Sequence, residues 1–107
     1  MKKIIFLLLL ALLPLCASAY EAKIDGIYYI FNTVTKKATV TYYSDGNKNK
    51  NAYTGNVNIP ASVNYNGVAY TVKEIGAYAF RYCSKLTSVT IPGSMTSIGM
   101  EAFRNCI

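Results

Sequence analysis

Cys83, Cys106 and the carboxylates Glu21, Asp25, Asp45, Glu74 and Glu101 are the side chains that could serve as nucleophile, acid, base or metal ligand beyond the N-terminal leader described below. Histidine is absent, which removes the Ser-His-Asp and Cys-His pairs, the imidazole general base and the usual His-containing zinc shells. Two thiols supply half of a zinc shell and nothing completes it. None of the carboxylates stands in an acid/base motif, and as solvated charges they need no further explanation. The residues therefore point to no catalytic, cofactor-binding or metal site, and the expectation is a protein that is not an enzyme. Tyrosine is the remaining chemistry-bearing type, with ten copies, most of them on or beside predicted strands. Its ring offers a large amphipathic contact area at protein interfaces. Strand propensity and half-buried packing account for the majority, because alternation along a strand turns only one face outward.

The segments that would position these residues begin with a leader. Met1-Lys2-Lys3 precedes the apolar run Ile4 to Leu13, which is too short to span a membrane but matches a secretory signal, and Ala17-Ser18-Ala19 supplies the small residues of a cleavage site. The expected cut falls after Ala19, so the mature chain starts at Tyr20 without a transmembrane segment and is secreted or held at the cell surface. Two rivals are a short membrane anchor, which Pro14 argues against, and a lipoprotein signal at Cys16, which lacks a small residue at Leu15. Removing residues 1–19 leaves residues 20–107 and lowers the net charge from +6 to +4. The basic residues are scattered from Lys23 to Arg104, so nucleic acid is not an expected partner. A chain of this size buries little surface as an isolated globule.

Residues 20–56 read as a β-region. Ile27 to Phe31 and Ala38 to Tyr43 are expected strands, rich in β-branched and aromatic residues, joined by a turn over 32–37. Residues 44–52 read as a polar surface loop with nothing to bury. A second hairpin is expected around Asn66-Gly67, the dipeptide that most readily takes a type I′ turn.

Residues 57–107 repeat themselves. Ile75-Gly76-Ala77-Tyr78-Ala79-Phe80-Arg81-Tyr82-Cys83 recurs as Ile98-Gly99-Met100-Glu101-Ala102-Phe103-Arg104-Asn105-Cys106, identical at six of nine positions. A second echo, at a wider offset, pairs Val57-Asn58-Ile59-Pro60 with Val89-Thr90-Ile91-Pro92. The two offsets differ by about the length of the Asn66-Gly67 hairpin, so the first unit reads as a repeat carrying an inserted hairpin.

The pattern Ile-Gly-x-x-Ala-Phe-x-x-Cys followed by Leu86-x-x-Val89-x-Ile91-Pro92 resembles the BspA-like leucine-rich repeats of bacterial surface proteins, and the β-rich stretch before it is similar to the region that precedes those repeats. The resemblance implies a mainly β fold: an N-terminal β-hairpin region leading into the first turns of a solenoid with one strand and one short helical turn per repeat. It also implies a surface antigen or adhesin, with a host or extracellular-matrix protein as partner. Equivalent residues then form columns: Ile75 with Ile98, Ala79 with Ala102, Phe80 with Phe103. Gly76 and Gly99 are expected at corners needing unusual φ angles, and Pro60 and Pro92 at strand ends. Stacked strands about 4.8 Å apart bring Cys83 and Cys106 within reach of a disulfide. Parallel directions of equivalent residues, and the family's use of a packed thiol here, favour two free thiols.

Nothing after Cys106 corresponds to the stretch Ser84 to Pro92, and a solenoid wants about three repeats and a cap. The expectation is therefore a repeat array that is incomplete and uncapped at its C-terminus. Three readings follow: a surface interaction or adhesion module, an inactive fragment of one, or a small secreted enzyme with no visible constellation behind it.

Overall fold

The computed structural model describes residues 20–44, 49 and 51–106. The expected leader, its cleavage site, Cys16 and much of the polar loop lie outside the described residues.

Eight strands form two sheets, with no α-helix among the described residues: β1 (Ala22–Ile24), β2 (Ile27–Asn32), β3 (Lys37–Val40), β4 (Gly55–Asn58), β5 (Ser62–Tyr65), β6 (Val68–Ile75), β7 (Leu86–Thr90) and β8 (Ser97–Ile98). β1, β2 and β3 form an antiparallel meander. β3 then pairs in parallel with β6, and β6 in parallel with β8. The opposite wall is the parallel pair β4 and β7. The fold is mainly β, the start of a leucine-rich-repeat solenoid, as the repeat pattern implies.

The registers carry both sequence echoes. Ile75 lies opposite Ile98 and Glu74 opposite Ser97, the spacing of the first echo; Val57 lies opposite Val89 and Asn58 opposite Thr90, the spacing of the second. The extra residues are β5 and the first half of β6, an antiparallel hairpin in which Asn66 (φ 51°) and Gly67 (φ 78°) make the turn with the positive angles this dipeptide favours. Val40 occupies in β3 the place of Ile75 in β6, since Gly76 N–H donates to Val40 O at 2.7 Å just as Gly99 N–H donates to Ile75 O at 2.7 Å. The stack thus has a layer with no echo in the sequence, built directly on the meander.

One face of the larger sheet is the core: Tyr29, Phe31, Ala38, Val40, Val72 and Ile75 are buried there, and Phe31 stacks on Tyr65 (4.5 Å between ring centroids) and Tyr70 (4.6 Å). These rings join β2 to the β5–β6 hairpin.

The expected strand Ala38 to Tyr43 ends at Val40. Thr41 N–H still donates to Tyr28 O, but the Val40 carbonyl is taken by Gly76 N–H and Tyr43 N–H turns to the side chain of Asn49, so the ladder cannot continue. The polar loop also differs from expectation at Asn49, which is only 1% exposed.

Candidate interaction surface

Each repeat crosses from one wall to the other through a chain of tight turns. Ala79, Arg81 and Cys83 donate to the carbonyls three residues earlier, and Ala102 and Arg104 do the same one layer on. Consecutive layers are tied by Tyr78 N–H to Met100 O, Phe80 N–H to Ala102 O and Tyr82 N–H to Arg104 O, at 2.8 to 3.1 Å. In the layer before, no backbone donor to the carbonyls of Ala79 and Arg81 occurs among the described residues. The Asn49 amide supplies one: its Nδ2 donates to Arg81 O (2.7 Å) and Ala79 O (3.4 Å), while its Oδ1 accepts Tyr43 N–H (2.8 Å). A buried asparagine closes the start of the ladder because it carries two donors and an acceptor in one plane.

Around this ladder the repeat residues form columns. Tyr53, Phe80 and Phe103 make an aromatic column, with centroids 4.4 and 5.1 Å apart and the Phe80 and Phe103 rings parallel to within 1°. The Tyr53 hydroxyl donates to Thr41 O (2.8 Å) and accepts Tyr28 N–H (3.0 Å), locking the meander to the stack. Burial pushes the Tyr53 phenol pKa well above its ordinary value. Ala79, Phe80, Cys83 and Ala102 are buried, Leu86, Val89 and Cys106 pack half-buried against the core, and Ile91, Ile98 and Phe103 are 42%, 50% and 38% exposed on the last layer. Pro60 and Pro92 each follow a parallel strand by two residues.

Gly76 and Gly99 are not at positive φ, contrary to expectation; the glycines that are, Gly26, Gly55 and Gly67, lie elsewhere. Their need is steric. A Cβ on Gly99 would fall on Ala77 N and within 2.7 Å of Gly76 C, and one on Gly76 would meet Val40 O and Thr39 Cγ2 at 3.2 Å. Each glycine lets its corner nest on the corner beneath it. The left-handed positions are instead Tyr78 (φ 62°), Tyr82 (65°), Glu101 (53°) and Asn105 (59°), recurring with the repeat. Only Asn105 is a residue type that hints at this conformation.

Cys83 and Cys106 are free thiols. Cys83 donates to Asn49 O at 3.3 Å and Cys106 to Phe80 O at 2.8 Å, equivalent bonds one layer apart. Burial pushes the Cys83 pKa up to about 11 and raises that of Cys106. A buried, neutral thiol with a carbonyl partner is a packing group and a poor nucleophile. Among the described residues no three His, Cys, Asp or Glu side chains converge on a metal position, and no helix is long and apolar enough to cross a membrane.

What remains outward is a surface of changing residues on a repeated backbone. Across the sheet Ile30, Thr39, Glu74 and Ser97 form one row on four strands. Glu74 is its centre, accepting from Thr39 Oγ1 (2.9 Å) and Ser97 Oγ (3.1 Å). At the turns, Arg81 lies over the rings of Tyr78 (4.4 Å from Cζ to the centroid) and Tyr82 (5.1 Å), whereas Arg104, its equivalent, pairs with Glu101 at 2.6 Å. Most of the ten tyrosines divide accordingly: Tyr29, Tyr53 and Tyr70 are core, Tyr65 stacks on Phe31, Tyr20, Tyr28 and Tyr43 form one ring cluster in which Tyr20 meets Tyr28 edge to face, and Tyr78 and Tyr82 hold an arginine.

Comparison with known proteins agrees with this geometry. The family model for a BspA type leucine-rich repeat region (6 copies) matches residues 50–107, more than half of the chain. A leucine-rich repeat protein from Bacteroides ovatus ATCC 8483 superposes with a TM-score of 0.68 at 34% identity, over 81% of this chain and 21% of its own. A leucine-rich repeat protein from Bacteroides capillosus ATCC 29799 gives 0.59 at 31%, over 83% and 59%. A leucine-rich cell surface protein from Faecalibacterium prausnitzii A2-165 gives 0.59 at 34%, over 82% and 21%. This chain spans about a fifth of two of these structures and about three fifths of the other. No curated protein matches. With repeat registers, columns and family model in agreement, the chain belongs to the BspA-type leucine-rich-repeat family.

Proposed function

We propose that this chain is an exported protein, cut after Ala19 and displayed or released at the cell surface, where its repeats serve as a protein-interaction or adhesion module with a host or extracellular-matrix protein as partner. The observation that carries the reading is the division of labour within each repeat. Ile75, Ala79, Phe80 and Cys83 and their stacked equivalents are consumed by packing, while the outward positions 78, 81 and 82 differ from 101, 104 and 105 in partners though not in backbone. A constant frame with interchangeable outward residues suits recognition. The apolar leader and the small residues before Tyr20 support export.

Two measurements test the reading. N-terminal sequencing of the protein recovered outside its producing cell is expected to begin Tyr20-Glu21-Ala22, and retention of the leader on a cytosolic protein would contradict export. Binding to an array of extracellular-matrix proteins is expected to single out a protein ligand, and an array without any saturable signal would contradict adhesion. An enzyme reading would need turnover abolished by a single carboxylate substitution.

A further inference from the structure

The two repeats contain an internal comparison at the turn. Arg81 and Arg104 are equivalent residues, and the residues three before them, Tyr78 and Glu101, share the left-handed conformation at φ 62° and 53°. In the second repeat the carboxylate at this place reaches its arginine at 2.6 Å and raises the guanidinium pKa by hydrogen bonding and charge. In the first repeat the carboxylate is replaced by a tyrosine ring. Arg81 lies over that ring and over Tyr82, and among the described residues its guanidinium has no ion pair and no hydrogen-bond acceptor. Stacking on aromatic faces holds the guanidinium plane in place and leaves its N–H edges free. Those edges are built for a planar oxyanion held by two parallel bonds. Met100, 67% exposed, accepts from the Tyr78 hydroxyl at 3.7 Å and adds an apolar shoulder. Arginine, tyrosine and methionine are among the residues enriched in protein interfaces.

We infer that Arg81, held by Tyr78 and Tyr82, is a receptor for a carboxylate side chain on an acidic segment of a partner protein, which takes the place that Glu101 fills for Arg104. The inference deepens the interaction reading above and rests on it. The surrounding charge favours it, since Glu101, the acid of the equivalent corner one layer on, is already paired with Arg104.

The test uses the purified full chain and two probes: an N-acetylated hexaglutamate amide, with the hexaglutamine peptide as control, and a heparin-derived hexasaccharide. Hexaglutamate is expected to bind and to shift the Tyr78 and Tyr82 ring resonances, with affinity that falls as salt rises. Arg81→Gln is expected to lose about tenfold or more in affinity, as for loss of a charged hydrogen-bonding partner. Tyr78→Glu is the sharper variant, because it installs the internal carboxylate that the second repeat already accommodates, and it is expected to lose as much while Arg81 is still present. Arg104→Gln is expected to bind like the original chain. Equal hexaglutamate binding by all these chains, no binding at all, or Arg81-dependent binding of the sulfated sugar alone would overturn the proposal. Binding to a matrix protein that Arg81→Gln and Tyr78→Glu leave unchanged would refute this site while leaving the interaction reading intact.

Discussion

Replacing Gly99 by alanine separates two explanations of why glycine stands after the isoleucine of each repeat. If the residue were needed for its φ angle, Gly76 and Gly99 would respond alike and by about 1 kcal/mol, the range for a side chain forced into a left-handed conformation. The structure gives a different ranking. The new methyl at 99 would collide with the Ala77 amide and come within 2.7 Å of Gly76 C and 2.9 Å of Ala77 Cα, all backbone atoms that cannot rotate away. Relief requires the last layer to lift from the one beneath, at a cost of about 2–3 kcal/mol, the upper part of the range for overpacking. At 76 the nearest atoms stand at 3.2 Å and one of them is a side-chain methyl, so about 1 kcal/mol is expected. Gly93, with open space around its Cβ position and no positive φ, is the control and should gain about 0.5 kcal/mol from a less flexible unfolded chain. Urea unfolding followed by far-ultraviolet circular dichroism gives the midpoints. Amide exchange at Tyr78, Phe80 and Tyr82, whose N–H groups cross to the last layer, reports its lifting directly. Equal midpoints for the 76 and 99 variants, or unchanged exchange at those three amides in Gly99→Ala, would refute the nesting argument.

Further outcomes are expected from the same frame. Asn49→Ala should cost about 2–4 kcal/mol in urea unfolding by removing the side-chain partner of Tyr43 N–H and of the Ala79 and Arg81 carbonyls, and Asn49→Asp should be no milder, since it keeps the acceptor and loses both donors. Tyr53→Phe should cost about 1–3 kcal/mol although the ring is retained, and a change below about 0.5 kcal/mol would deny the hydroxyl its role between Tyr28 and Thr41. Phe80→Ala should lower stability by about 3–5 kcal/mol and Phe103→Ala by clearly less, because Phe80 is fully buried and Phe103 is 38% exposed. The Cys83 thiol, raised by burial from 9.0 to about 11, binds its proton more tightly folded than unfolded; its contribution is therefore complete below pH 9 and fades as pH rises toward 11. Melting temperatures should fall over that window, and less steeply in Cys83→Ala.

The repeat was legible because identical residues must return to equivalent depths, and the two sequence echoes reappear as the registers Ile75 to Ile98 and Val57 to Val89. The Asn66-Gly67 hairpin was legible for a local reason, the positive φ angles that both residues tolerate. The layer formed by β3 was not. Its register with β6 shifts at Lys73, an extra residue that breaks any fixed offset, and its contact with the next turn runs through the side chain of Asn49. A polar residue in a polar stretch gives no sign that its amide is buried. The Arg81 corner was hidden for a related reason: Tyr78 and Tyr82 look like further strand or packing tyrosines until the left-handed turns place both rings against one guanidinium.

The account rests on a stack of layers that starts at β3 and Asn49 and runs through Ile75 to Ile98. Nuclear Overhauser contacts in the isotopically labelled protein test this most directly. Contacts between the Phe80 and Phe103 rings, from Val40 methyls to Ile75 and from Ile75 to Ile98, and from the Asn49 side-chain amide to Arg81 and Cys83 are expected together. A spectrum in which Asn49 shows only solvent exchange and Val40 has no contact with Ile75 would contradict it.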